Sequence, residues 1–201
     1  MKNKLPLSFF QSPDVVQIAR DLLGKVLCTH DGTSLTAGLI TETEAYNGIG
    51  DKACHAYNNR RTARTETMYL PGGAAYVYLC YGMHHLFNIV TGAADNPQAV
   101  LIRAVEPLDG VAVMALRRQK KAGDYRISAG PGAMSAALGI TTADDGTLLD
   151  SGRIWLENRS IIINDEDIIA SARIGVHYAG EDALLPYRFY LKNNLYVSKR
   201  S

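Results

Sequence analysis

Apolar and polar residues alternate with a period of two along most of this chain, and the spacing turns helical in three places. The first helical segment opens at Ser12-Pro13-Asp14, where Ser12 can cap and Pro13 suits the first turn, and it closes at Gly24. Val15, Ile18, Ala19 and Leu22 fall on one face of it. The others are residues 109–121, with Val111, Met114, Ala115 and Arg118 at helical spacing, and residues 131–138, which Gly139 ends. Between them the pattern predicts strands. Residues 25–30 and 34–43 form a hairpin around Asp31-Gly32, and residues 75–81 and 85–91 form another across Gly82-Met83. Further strands are predicted at 99–106, 154–157, 160–163, 187–191 and 195–198, whereas 47–73 reads as loop. Strands that come as hairpins, with no repeating strand-helix-strand unit, predict an α+β fold with a mostly antiparallel sheet.

Length places the whole chain, 1–201, in one domain, and no repeat or low-complexity linker divides it. With 47% apolar and 20% charged residues the chain is globular in composition. Its longest near-continuous apolar run, residues 74–83, is ten residues long, half of what a bilayer requires. The N-terminus lacks the features of a signal peptide, so the expectation is a soluble, cytoplasmic protein without membrane contact. Three cysteines at wide spacing, Cys28, Cys54 and Cys80, imply neither a disulfide framework nor a zinc cage, and the five histidines lack metal-ligand spacing. No metal or cofactor is expected. The net charge of +1 hides an uneven distribution. Lys52, Arg60, Arg61 and Arg64 lie in an acid-free stretch. Arg117, Arg118, Lys120, Lys121 and Arg126 form a second basic segment, and Arg188, Lys192, Lys199 and Arg200 a third. A neutral total with such segments is compatible with one basic face, the arrangement a phosphate backbone requires.

Two features carry candidate chemistry. Strand 34–43 runs out of an apolar stretch into Thr41-Glu42-Thr43-Glu44-Ala45-Tyr46, and alternation puts Glu42 and Glu44 on one face, a plausible seat for a general base. The second is tyrosine density: six of the eleven lie between Tyr46 and Tyr81. Tyr76 and Tyr78 share a strand face, while Tyr81 sits at a hairpin tip where no strand partner can cover it. An exposed aromatic there, beside Met83 and near basic segments, has the character of a wedge that enters a base stack.

These residues, in this order, resemble the alkyladenine (3-methyladenine) DNA glycosylase family. The resemblance rests on Glu42-Thr43-Glu44-Ala45-Tyr46, on His55, on Tyr76-Val77-Tyr78 followed by Tyr81-Gly82-Met83, and on Asn88. It continues through Leu101-Ile102-Arg103-Ala104-Val105-Glu106-Pro107-Leu108, Gly130-Pro131-Gly132, Arg173-Ile174-Gly175 and Ala179-Gly180, and so covers nearly the whole chain. It implies a single domain with a curved sheet flanked by helices and a protruding hairpin that inserts into DNA. It also implies an enzyme that flips alkylated or deaminated purines out of duplex DNA and hydrolyses the N-glycosidic bond, initiating base-excision repair. In that likeness Glu44 activates water, Arg103 helps to hold it, and the main-chain carbonyl of Ile174 completes the water site. Tyr46, His55 and Tyr78 wall the base pocket, and Asn88 crowds it against the guanine amino group. Tyr81, with Met83, takes the place of the extruded nucleotide, and Arg60, Thr62, Arg64 and His84 contact DNA. Two departures stand out: His84 occupies the place of a second aromatic beside the wedge, and two additional residues separate Asn88 from Arg103.

The expected partner is double-stranded DNA containing a damaged purine, bound by a monomer, nucleoid-associated if the source is bacterial. With no lysine at the motif to form a Schiff base, the expected enzyme is monofunctional. Other readings of the same residues stay open at this point. Tyr46 and Tyr78 could be core tyrosines, His55 a loop residue, Asn88 a strand-edge residue, and Arg103 a structural partner of Glu42 or Glu106. The whole chain could then be a noncatalytic binder of damaged DNA, or a hydrolase of free nucleosides.

Overall fold

The computed structural model describes residues 3–198. Eight strands make one antiparallel sheet: β1 (Val26–His30), β2 (Leu35–Tyr46), β3 (Ala75–Cys80), β4 (His84–Thr91), β5 (Gln98–Asp109), β6 (Ile154–Glu157), β7 (Ile168–Ser171) and β8 (Arg188–Leu191). The path is β3-β4-β5-β2-β1-β6, with β8 also on β2 and β7 on β8. β2 is the organising strand. One edge pairs with β5 along nearly its whole length, and the other pairs first with β1, from Leu35 to Leu39, and then with β8, from Glu42 to Glu44. The sheet is curled, and the fold is α+β as the pattern predicts.

Helices α1 (Val15–Asp21), α2 (Val111–Arg118) and α3 (Pro131–Leu138) pack on the apolar side of this sheet. That side buries Ala75 and Val77 of β3, Phe87 and Ile89 of β4, and Val100 and Ile102 of β5, with Leu22, Met114, Leu138 and Trp155 in the same core. α1 is tied to β2 by the Thr43 hydroxyl, which donates to the Ala19 carbonyl at 2.8 Å. The strand residues between these, Glu42, Glu44, Tyr46, Tyr76, Tyr78, Asn88 and Leu101, belong to the opposite side. There Tyr76, Cys54, Met68 and Tyr69 form a smaller cluster that Tyr46 and Tyr78 adjoin.

Several predicted boundaries shift, each for a local reason. The cap of α1 is Asp14, whose Oδ1 accepts the Gln17 N–H at 2.9 Å, while Ser12 Oγ accepts only the Asp14 N–H at 3.4 Å. α2 is shorter than 109–121 because Gly110 and Gln119 at its ends are both left-handed, with φ of 68° and 50°. Glycine is needed at 110: a Cβ there would lie 2.3 Å from the Leu35 carbonyl oxygen. Residues 160–163 are not a strand, and Ser160 at φ 57° breaks the extension. Nor are residues 195–198, which follow the sheet without joining its ladder. β7, a four-residue strand directly after the acidic Asp165–Asp167 turn, lacked a readable pattern.

The three cysteines are free. Among the described residues no helix is long and apolar enough to cross a membrane, and no group of three or more His, Cys, Asp or Glu side chains could hold a metal ion.

Candidate active site

The chemistry begins at an irregularity between β2 and β5. Ile40 pairs with Val105, Glu42 with Ala104 and Thr43 with Ile102, so that Thr41 and Arg103 both stand outside the ladder. Bulges of this kind re-aim side chains. Here Arg103 lies between the two glutamates: Nε donates to Glu42 Oε1 at 2.7 Å, and Nη1 is 3.2 Å from Glu44 Oε2. Both glutamates have no exposed surface, and Arg103 is 6% exposed. The structural pairing with Glu42 and the contact with Glu44 therefore coexist in one guanidinium. Glu106 takes no part, its Oε2 accepting instead from Asn194 at 2.8 Å.

Glu44 is held by two further donors. The Tyr46 hydroxyl donates to Oε2 at 2.9 Å and the Ile174 N–H to Oε1 at 2.7 Å. The contact seen at Ile174 is thus made by its amide N–H. Burial, and then the charge of Glu44, push the Tyr46 phenol well above its usual range, so it stays a donor. For Glu42 burial alone would raise the pKa, but the Arg103 charge, the Ser198 N–H and Arg188 together outweigh it and hold the carboxyl below its usual value.

Beside this buried group lies a cavity of about 710 Å³ whose walls include Tyr46, His55, Tyr78, Asn88, Arg103 and Ile174. Its size is that of a small-molecule site. His55 Nδ1 is 2.9 Å from the Tyr76 hydroxyl, and its ring meets Tyr78 edge-on at 4.7 Å between centroids. Burial, reinforced by Arg64 and Arg60, lowers the His55 pKa to about 4, so the imidazole is neutral at physiological pH. Asn88 is 4% exposed, and its amide donates to the Tyr76 carbonyl at 3.1 Å, which fixes it in the wall. Sequence reasoning missed one supporting pair. Arg173, next to Ile174, donates to Asp51 Oδ1 at 2.8 Å and to the Ala45 carbonyl at 2.9 Å, and its guanidinium lies 5.0 Å from the Tyr46 ring centre. Only its position beside Ile174 signalled it.

The β3–β4 hairpin stands at the cavity rim. Tyr81 is 91% exposed and Met83 68%. The turn closes through the Met83 N–H on the Cys80 carbonyl at 3.1 Å, with Tyr81 and Gly82 both left-handed, at φ 51° and 70°. A left-handed tyrosine is a strained conformation. The hairpin is braced from outside: the Val77 N–H donates to Asp145 Oδ1 at 2.8 Å, and the Thr142 N–H to His85 Nδ1 at 3.1 Å. Exposed His84 rests on α3, where a Cβ on Gly132 would lie 3.0 Å from its ring.

Arg60, Thr62 and Arg64 line a second recess of about 340 Å³ with Lys52, next to the first, and Arg64 lies 5.0 Å from the Tyr78 ring centre. Arg118 lines the larger cavity, and four other cations of the basic segments are engaged with acids. Arg61 pairs with Glu66 and Asp95, Arg117 with Asp31, Arg126 with Asp124, and Arg188 is buried on Glu42. Lys199 and Arg200 lie outside the described residues.

A buried carboxylate under an aromatic cavity, flanked by exposed cations and an exposed tyrosine, is the equipment of an enzyme that works on a base within a nucleic acid. Comparison with known proteins agrees. The profile of the Methylpurine-DNA glycosylase (MPG) family matches residues 8–195. A Chlamydia pneumoniae protein named "Putative 3-methyladenine DNA glycosylase" is 47% identical over 185 residues, 91% of this chain and 92% of its own. Proteins of the same name from Methanocella arvoryzae and Bdellovibrio bacteriovorus are 46% and 44% identical, each over 98% of this chain and at least 96% of their own. The chain belongs to the methylpurine-DNA glycosylase family, and it is a DNA N-glycosylase.

Proposed function

We propose that this enzyme takes a damaged purine, alkylated or deaminated, out of duplex DNA into the 710 Å³ cavity and hydrolyses its N-glycosidic bond with a water activated by Glu44. The observation that carries the reading is the position of Glu44, fully buried directly behind the cavity wall, hydrogen-bonded by Tyr46 and Ile174 and paired with Arg103, all three of which line the cavity. Burying a carboxylate requires a full set of donors, and this set leaves it beside the larger of the two recesses described.

In the proposed reaction a water oxygen bonds to C1′, its proton passes to Glu44, and the C1′–N bond breaks with its electron pair leaving on the base. General-base assistance contributes about 10²–10⁴-fold. Charge builds on the sugar as the bond breaks, and an anion in a water-poor site stabilises it. Arg103 and the Ile174 main chain orient the water. Tyr46 and Tyr78 offer electron-rich faces to a cationic base such as 3-methyladenine or 7-methylguanine, an attraction of roughly 0.5–2 kcal/mol. Neutral hypoxanthine or ethenoadenine needs hydrogen bonds instead, and neutral His55 supplies them. Asn88 crowds the unmodified guanine amino group. Extruding a base costs a few kcal/mol and is easiest for one that pairs badly. Tyr81, with Met83, fills the gap, while Arg60, Thr62, Arg64 and His84 hold the backbone. Among the described residues no lysine lines the larger cavity, which supports base release without strand cleavage. The enzyme acts as a single-domain monomer.

Single-turnover base release tests this, with end-labelled duplexes carrying hypoxanthine, ethenoadenine or an alkylated purine, and alkali added to open abasic sites. Wild-type enzyme gives alkali-dependent breaks. Glu44→Gln gives none yet still binds lesion DNA. Turnover by the variant near the wild-type rate removes Glu44 from the mechanism, and breaks without alkali contradict a monofunctional enzyme.

A further inference from the structure

The family profile ends at residue 195, yet the structure carries the chain on to the back of the active site. Thr41, the β2 residue outside the ladder, donates its hydroxyl to the Tyr196 carbonyl at 2.6 Å. Val197 is buried. The Ser198 N–H then donates to Glu42 Oε2 at 2.6 Å, and its hydroxyl donates to Glu42 Oε1 at 2.8 Å. That hydroxyl oxygen also accepts from Arg103 Nη2 at 3.2 Å. Each of the three guanidinium nitrogens of Arg103 therefore has its own partner: Nε donates to Glu42, Nη2 donates to Ser198, and Nη1 is ion-paired with Glu44 at 3.2 Å.

A planar fork pinned at three nitrogens by three residues has no rotation left to it. Two of those anchors meet in Ser198, which orients the Glu42 carboxylate and touches Arg103 directly. We propose that residues 196–198 belong to the active site, and that Ser198 is a positioning residue that keeps Arg103 on Glu44. It does so by bridging Glu42 and Arg103. This rests on the reading of Glu44 and Arg103 given above. A tail that served only as a cover would need buried apolar contacts such as Val197, not a serine whose N–H and hydroxyl both reach a buried carboxylate. Losing either donor leaves that carboxylate under-bonded, and it then re-forms around Arg103 and Arg188 at the expense of the Glu44 contact.

The test compares Ser198→Ala, Ser198→Thr and a chain ending at Val197. It measures the single-turnover rate on a hypoxanthine duplex and the Kd for a duplex with a tetrahydrofuran abasic analogue. Glu44→Gln runs in parallel. The expected result is a rate lowered about tenfold in Ser198→Ala and about 100-fold in the shortened chain, as befits charge-assisted bonds. Kd should be unchanged, and Ser198→Thr, which keeps both donors, should restore the rate. An unchanged rate in Ser198→Ala overturns the proposal. So does a loss that Ser198→Thr shares, or one matched by weaker binding. Should the shortened chain not fold, the Ala and Thr variants decide. Turnover by Glu44→Gln would sink the underlying reading instead; an inert Glu44→Gln beside fully active Ser198 variants would sink this one alone.

Discussion

The two faces of the sheet are made by the same strands and obey opposite rules. Toward the helices, Phe87, Ile89, Val100 and Ile102 sit in a continuous apolar mass, where any one side chain shares its neighbours with several others. Toward the cavity, Glu42, Glu44, Arg103 and Asn88 are as deeply buried, but each depends on specific partners at hydrogen-bond distance. A difference of one residue in register separates the two regimes. The lesson is that burial by itself does not say what a residue is for: on one face it supplies stability, on the other it fixes an orientation.

That contrast can be broken from either side. The largest effect is expected from Glu44→Gln, a rate loss of about 10²–10⁴-fold at nearly unchanged fold, read by single turnover and thermal melting together. Its counterpart one layer away is Phe87→Ala, which should lose about 3–5 kcal/mol of stability while the surviving folded molecules keep their rate. If Phe87→Ala slows the folded enzyme as much as it lowers Tm, the two faces are not separable. Tyr81→Ser, at the rim, should weaken binding to a duplex lesion by about tenfold. The same lesion in single-stranded DNA should be bound with little change, and equal losses in both argue against a wedge. Arg60→Ala with Arg64→Ala should flatten the slope of log K against log salt by about two; an unchanged slope moves the phosphate contacts elsewhere.

The smallest effect concerns His55, whose folded pKa of about 4 lies below its usual 6.5. Between those values the unfolded chain binds the proton and the folded chain does not, so stability attributable to this group is complete above about pH 6.5 and is lost as pH falls toward 4. His55→Gln should make Tm fall less steeply over that window. A profile unchanged by the substitution means that His55 is protonated in the folded enzyme as readily as out of it.

Much of this was legible in the chain. Period-two alternation identified seven of the eight strands, and the Glu42-Thr43-Glu44 spacing placed both carboxylates on one face. It could not reveal that Thr41 and Arg103 slip out of register, since a bulge is set by pairing between strands far apart in sequence. Asp51 with Arg173 and Glu42 with Ser198 escaped for the same reason: their partners are separated by 122 and 156 positions. Residues 195–198 have a strand-like pattern, but their bonds go to side chains, which periodicity does not register. Ser12 and Asp14 are both good caps, and only the geometry of the first turn selects between them.

The order of strands on β2 has a consequence for how the molecule is made. The half of β2 that carries Glu42 and Glu44 pairs with β8, the last strand of the chain. A growing polypeptide therefore exposes Glu42 long before Arg188 and Ser198 exist to receive it. The site closes only once residues 188–198 have been made.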